Sequence, residues 1–288
     1  LFSSKQSGEA NFLGVDIGGS SIKMVDLTNN NGRSQLVTYG YLERSLSGEK
    51  SKLIDQPDKT AELLRKVAEK SRVITKRAIT ALPAPAVFNA IIGLPEILKK
   101  DLSSHKKIAA AVEWEAKKVL PLPLEEMILD WRVIKETAQE HAAALASEKA
   151  PSVSAKKPKD MKILLTAAPK TLVKRYVDIF KAADLQLVSL ETESFALERS
   201  LIGNDPSPIM IIDIGAIATD ISVIVRGIPI LNRSIDVGGE TITKSIMNSL
   251  NVDRDRAEQF KRDFGMSTDQ ANQQIPHTIE FIMSSIVN

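Results

Sequence analysis

Two short stretches of this chain repeat one another at a separation of roughly 200 residues. The first is Gly14-Val15-Asp16-Ile17-Gly18-Gly19-Ser20-Ser21-Ile22-Lys23-Met24-Val25-Asp26-Leu27, and the second is Ile211-Ile212-Asp213-Ile214-Gly215-Ala216-Ile217-Ala218-Thr219-Asp220-Ile221-Ser222-Val223. Each reads as an apolar strand, the triplet Asp-Ile-Gly, a few small or hydroxyl residues, and a second apolar strand. Glycine gives such a turn backbone angles closed to other residues and lets backbone N–H groups come close to an anion. An aspartate at the end of each first strand is placed to orient water on a metal ion. One such hairpin says little. Two of them, one in each half, point to a two-lobed clamp around the phosphates of a nucleotide.

The 288 residues suffice for one large domain or two medium ones. With 38 basic against 36 acidic residues, the net charge of +2 gives no overall pull toward nucleic acid. The chain has no cysteine, which excludes disulfides and thiolate metal sites. His105, His141 and His277 lie far apart and show no ligand spacing. A metal here is therefore expected to be an oxygen-ligated ion such as Mg²⁺, held mostly by phosphates. The most apolar stretch, Ile209 to Leu231, carries Asp213, Asp220 and Arg226 and has Gly and Pro at hairpin spacing. It reads as strands rather than a membrane span. No signal peptide is visible, so the expected compartment is the cytoplasm. The chain opens on Leu1, which suggests that the natural N-terminus lies further upstream.

Along the chain, strands are expected at 11–17, 22–28, 36–43 and 77–82, with an amphipathic helix at 57–70 between the last two. Five prolines (Pro83, Pro85, Pro95, Pro121, Pro123) punctuate 83–123, around an extended segment at 86–94 and a helix at 101–119 capped by Asp101 or Ser103. A strand at 127–135 precedes a low-complexity stretch at 141–160, expected to be a mobile loop, and a strand at 161–167. Residues 83–167 thus read as an inserted α+β subdomain. Helix 169–183, strand 185–191 and helix 193–203 return to a first lobe made of 11–82 and 168–205. Strands 209–214, 219–225 and 228–236 and helices 240–250, 253–264 and 275–287 make a second lobe, 206–288. Gly265 is a good left-handed terminator for the middle helix.

The internal repeat with an insertion in one lobe resembles the superfamily of actin, heat-shock chaperones and sugar kinases. Five further motifs occur in order: Thr80-Ala81-Leu82-Pro83, Trp114-Glu115-Ala116, Leu120-Pro121-Leu122-Pro123, Leu129-Asp130-Trp131 and Ala167-Ala168-Pro169-Lys170. Together they resemble the PilM family of actin-like type IV pilus assembly proteins, from residue 12 to about 265. The resemblance implies an α/β, actin-like ATPase fold of two related lobes that binds ATP with Mg²⁺, with weak or no hydrolysis.

It also implies site residues. Asp16, Gly18, Gly19, Ser20, Ser21 and Lys23 match the first phosphate motif, with Asp16 orienting Mg²⁺-bound water and Lys23 neutralising phosphate oxygens. Many relatives carry a hydroxyl residue where this chain has Gly19, so Ser20 or Ser21 substitutes. Asp213, Gly215, Thr219 and Asp220 match the second motif, with Asp213 facing the γ-phosphate and, through water, the metal. Ala216, Ile217 and Ala218 offer few side-chain donors there, in keeping with slow hydrolysis. Glu193 matches the linking-helix acid near the attacking water. As a catalytic residue it would be a general base; a plain acid at a helix N-terminus fits it equally. Gly238, Gly239 and Glu240, with Thr241 and Thr243, match the turn into a helix near the nucleotide sugar, where backbone N–H groups at the helix start favour polar contact. Glu258 and Lys261 match a helix whose polar residues touch adenosine, or they form a solvated face.

The family continues into a Gly-rich loop that closes over the adenine, and this sequence stops at Asn288, within the helix that precedes that loop. The second lobe is therefore expected to be C-terminally truncated, with an unpaired sheet edge. As partner the resemblance implies the short cytoplasmic N-terminal segment of the inner-membrane protein PilN, an extended peptide held in a groove by the inserted subdomain, with Pro85 to Leu94 as a wall. Other pilus platform proteins would follow, with no nucleic acid and with the membrane reached only through partners. Trp114 and Trp131 read as core rather than contact residues. Two other readings remain open on the same fold: a small-molecule kinase or true ATPase, and an FtsA-like membrane-associated filament protein.

Overall fold

The computed structural model describes residues 11–30, 32–44, 52–95, 105–134, 161–203, 205–265, 277, 279–280 and 282–284. The expected loop at 141–160 and the cap residues Asp101 and Ser103 lie outside them. In chain order the elements are β1 (Phe12–Ile17), β2 (Ser21–Asn30), β3 (Arg33–Glu43), α1 (Pro57–Lys70), β4 (Arg77–Leu82), β5 (Phe88–Leu94), α2 (His105–Val119), β6 (Met127–Val133), β7 (Met161–Pro169), α3 (Lys170–Ala182), β8 (Gln186–Thr192), α4 (Glu193–Leu197), β9 (Ile209–Ile214), β10 (Thr219–Val225), β11 (Ile228–Ile235), α5 (Gly239–Leu250) and α6 (Arg254–Phe264).

The chain divides into two compact units, Ala86–Leu172 and Phe2–Pro85 with Val173–Asn288. In the smaller unit, β5, β7 and β6 form an antiparallel sheet with β7 central. Ile108, Val112 and Ala116 recur on one face of α2 at helical spacing. They pack on Ile92, Leu94, Ile163 and Leu165 of the sheet, with Trp131 partly buried against them. Trp114, on the opposite face, is 67% exposed, so only one of the two tryptophans belongs to this core.

The larger unit holds two sheets. The first has the order β3-β2-β1-β4-β8, antiparallel on the β3 side and parallel from β1 through β4 to β8. α1 begins on Pro57, whose missing N–H is no loss in a first turn, and buries Ala61, Leu64 and Val67. It seats on β3 at Gly40, where a Cβ would fall 2.1 Å from Ser71 Oγ. Thr38 Oγ1 donates to Ser71 O at 2.7 Å beside it. α3 buries Val173, Tyr176, Ile179 and Phe180 at the same helical period.

The second sheet is the antiparallel meander β9-β10-β11, and β10 turns into β11 through Arg226 and Gly227, both with positive φ (53° and 70°). That pair of angles is what a two-residue hairpin turn requires. The expected helix 193–203 is shorter than the sequence suggests. α4 ends at Leu197, and Glu198–Ile202 continues as one wider π-helical turn closed by Gly203 at φ 61°. α5 and α6 pack on each other through Ile242, Ile246 and Ala257, joined by Ile279 and Ile282 near the chain's end. None of the described helices is long and apolar enough to cross a membrane.

Candidate functional site

The two repeated segments fold as one hairpin built twice. In the first, Asp16 on β1 lies directly across from Lys23 on β2, and the turn closes through Gly18 N–H to Ser21 O at 2.9 Å. In the second, Asp213 on β9 lies across from Asp220 on β10, and the turn closes through Gly215 N–H to Ala218 O at 2.9 Å. Spacing, register and turn closure coincide. A Cβ on Gly215 would sit 2.9 Å from Ala218 O, which explains the glycine there.

Both turns line one cavity of about 470 Å³ in the larger unit, within the size range of small-molecule sites. Asp16, Gly18, Gly19, Ser20, Ser21, Lys23, Glu193, Asp213 and Gly215, each expected at the site, come together on its wall, with Asp220. Lys23 Nζ meets Asp16 Oδ2 at 3.0 Å. Burial alone would lower the Lys23 ammonium. The hydrogen bond and charge of Asp16, with Asp213 behind it, outweigh that and hold its pKa above the ordinary value. At the position matching Lys23 the second hairpin has an acid instead. Burial raises the Asp220 carboxyl; the Ser234 hydroxyl opposes this, Asp213 adds to it and Lys52 opposes it.

Glu193 is the first residue of α4, behind the capping hydroxyl of Thr192, which accepts from Phe195 N–H. Its Oε2 accepts from Ala84 N–H at 3.1 Å. Burial pushes its carboxyl up to about 7; the Ala84 N–H opposes the rise, and Asp220, Asp16 and Asp213 add to it. The placement suits either role expected for it, an acid at a helix start or a base near neutrality. The following Ser194 donates to Asn232 Oδ1 at 2.9 Å, and Ser222 of β10 donates to the same oxygen at 2.8 Å. Asn232 of β11 thereby ties α4 to the second sheet.

A second cavity, of about 780 Å³, shares Ser20, Gly215 and Ala216 with the first, so the two adjoin. Gly239, Glu240, Glu258 and Lys261 line it. Lys261 Nζ donates to Thr243 Oγ1 (2.7 Å), Glu258 Oε1 (2.8 Å) and Gly239 O (3.2 Å). Burial alone would raise Glu258; the Lys261 and Thr243 hydrogen bonds win and hold it below its ordinary value. Glu240 takes a two-pronged ion pair from Arg254, both contacts at 2.7 Å, which lowers its pKa. At the cavity's edge Arg262 of α6 reaches Glu43 of β3 at 3.4 Å.

Two site expectations need correction. The N–H groups at the start of α5 do not face an open anion site: Gly239 N–H donates to Gly215 O (2.9 Å) and Glu240 N–H to Ala216 O (2.8 Å). Gly238 packs so tightly on the same turn that a Cβ would lie 2.7 Å from Gly215 O and 2.8 Å from the Ile217 carbonyl carbon. Gly238 thus serves close packing of helix on turn, whereas a Cβ on Gly239 would meet nothing nearer than 3.6 Å. Thr219, in turn, is fully buried and donates to Val237 O at 2.7 Å, so its hydroxyl braces the strand instead of facing the cavity.

The sequence reading missed Tyr176, Lys52 and Asp236, which also line the smaller cavity. Tyr176 is marked only by its place in the apolar period of α3. Burial raises its phenol, and the charges of Glu193 and Asp16 raise it further. Lys52 and Asp236 sit in connections between elements and carry no local pattern.

Residues 14–147 and 149–282 match the family described as "Type IV pilus assembly protein PilM". Among solved structures, a PilM–PilN type IV pilus biogenesis complex aligns with a TM-score of 0.72 at 22% identity, over 97% of this chain and 75% of that one. The ethanolamine utilization protein EutJ from Carboxydothermus hydrogenoformans aligns with a TM-score of 0.53 at 16% identity, over 98% and 71%. MreB 5 of Spiroplasma citri bound to AMPPNP gives a TM-score of 0.48 at 13% identity, over 98% and 77%. The fold is the actin-like ATPase fold.

Proposed function

Since this chain belongs to the PilM family of type IV pilus assembly proteins, we propose that it is a cytoplasmic Mg·ATP-binding adaptor of the pilus assembly platform that takes the cytoplasmic N-terminal segment of PilN as its partner. The observation that carries the nucleotide reading is the doubled hairpin, which brings Asp16, Lys23 and Asp213 to one cavity wall. The solved relative that is a PilM–PilN complex supports the partner. The partner in turn brings the protein to the inner membrane.

The donor set fits Mg²⁺ held largely by phosphate and water. Asp16, Asp213, Asp220 and Glu193 line the cavity as oxygen donors, and Asp220 Oδ1 is a buried oxygen with no hydrogen bond. No three acidic or histidine side chains among the described residues converge as a ready-made metal cage, which is the usual situation for Mg²⁺ with a nucleotide. Asp16 and Asp213 would hold the ion through water. When bound, it neutralises phosphate oxygens against a wall rich in carboxylates.

Lys23, kept charged by Asp16, supplies the fixed cation for phosphate, and the backbone of the Gly18–Ser21 turn lies beside it. Glu258 and Lys261, locked from behind by the buried Thr243 hydroxyl, present polar groups to the adjoining cavity for the sugar and base. Glu193, with its carboxyl raised to about 7, has the proton affinity a general base needs near neutrality, so slow hydrolysis or none would rest on the few side-chain donors of Ala216, Ile217 and Ala218. Nucleotide would act on partner binding through the difference in its affinity for the two arrangements of the chain.

The test is calorimetric titration with Mg·ATP and with the PilN N-terminal peptide, each alone and each in the presence of the other. Saturable peptide binding that changes with Mg·ATP supports the adaptor. Nucleotide binding with no peptide binding redirects the reading to a kinase or a filament protein.

A further inference from the structure

The two hairpin turns come close together at Gly19 and Ile217. A Cβ built on Gly19 would lie 2.9 Å from Ile217 Cδ1, 3.0 Å from Cγ1 and 3.6 Å from Cβ. Gly19 is not among the glycines with positive φ, so its backbone is open to any residue. What a side chain there would meet is the isoleucine opposite, whose δ-methyl would have to turn aside. The repeat sharpens the point. With Asp16, Gly18, Ser21 and Lys23 matched to Asp213, Gly215, Ala218 and Asp220, Ile217 stands where the first turn has Ser20. One turn therefore carries a small hydroxyl and the other a bulky branched side chain, and the bulk of the second fits into the missing side chain of the first.

We propose that Gly19 and Ile217 are a matched steric pair that sets the spacing of the two turns, which makes Ile217 the positioning residue for the cavity between them. The backbone of Ile217 is itself held, because its carbonyl carbon lies where Gly238 closes on the turn. Two turns joined this way present the Asp16 and Asp213 hairpins at one fixed separation. The size of the side chain at 217 then decides how wide an anion fits between them. It also explains why the second turn lacks a hydroxyl at this position: a serine would leave the gap over Gly19 unfilled.

The absence of cysteine from the chain permits a direct test. A Cβ–Cβ separation of 3.6 Å lies in the range that a disulfide spans, about 3.5–4.5 Å. The double variant Gly19→Cys/Ile217→Cys, treated with diamide, is expected to lose both free thiols within the monomer. Gly14→Cys/Ile217→Cys is the control and should keep them. A second experiment measures thermal midpoints for Gly19→Ser, Ile217→Ala and the pair together. Gly19→Ser should lower the midpoint by about 3–6 °C in the parent and by under about 1 °C when Ile217 is already alanine. Equal losses in both backgrounds, with thiols that stay free, would overturn the proposal. If the cysteine pair does not fold, the serine comparison decides alone. Neither readout contains a nucleotide, so failure here is separate from failure of the nucleotide reading.

Discussion

Replacing Glu193 by glutamine isolates the most perturbed carboxylate in the cavity. The side chain is largely buried, faces three aspartates, and titrates near 7 instead of near 4.5. Between those two values the unfolded chain has already released this proton while the folded chain keeps it. Stability from this group is therefore complete below about pH 4.5, declines as pH rises through 7, and is flat above. At about 1.4 kcal/mol per pH unit the loss is about 3 kcal/mol, most of it between pH 5 and pH 8. The glutamine side chain has no proton to release, and its amide oxygen can still accept from Ala84 N–H. In thermal melts followed by circular dichroism, the midpoint of Glu193→Gln minus that of the parent should rise from near zero at pH 5 to about 6 °C at pH 8. Taking the difference cancels the titration of groups that do not interact with Glu193. Parallel curves for the two proteins across this range would refute the argument that burial and the three aspartates hold the carboxyl up.

Lys23→Met should change stability by less than about 1 kcal/mol, since both members of the Asp16 pair are about half exposed. It should weaken Mg·ATP at least about tenfold by calorimetry, and unchanged affinity would remove Lys23 from the phosphate site. Gly238→Ala should cost about 3 kcal/mol, because its new methyl would meet backbone atoms of the 215–217 turn that have no rotamer to yield; a melt within about 1 °C of the parent would show that the turn gives way. Asn232→Ala strips the acceptor from two buried hydroxyls, Ser194 and Ser222, and should cost about 2 kcal/mol in urea titration, while Asn232→Asp keeps the acceptor and should lose less.

The hairpins were readable in the sequence because alternating apolar residues around Asp-Ile-Gly leave little freedom in register, and both hairpins formed with the acid across from the seventh residue on. Helix α1 was readable for the same reason, from its period and its leading proline. What escaped was set by partners distant in sequence. Nothing local to Gly238 and Gly239 says that the start of α5 will bond to carbonyls of residues 215 and 216. Thr219 looks like a phosphate ligand in a motif, yet a carbonyl eighteen residues away claims its hydroxyl. Helix 193–203 has an even apolar pattern. Its change to a wider turn at Glu198 has no marker in the local residues beyond the glycine that ends it. Tyr176 reached the cavity by the packing of α3 and carries no motif.

The two hydrogen bonds from α5 to the second turn have a mechanical meaning. Gly239 and Glu240 are at once the first residues of that helix, the donors to Gly215 and Ala216, and part of the wall of the larger cavity. Turn and helix therefore move as one stiff lever, with the smaller cavity at one end and Glu240, Thr243 and the ion pair to Arg254 along its arm. A shift of the turn is delivered to the larger cavity without any intervening rearrangement of side chains.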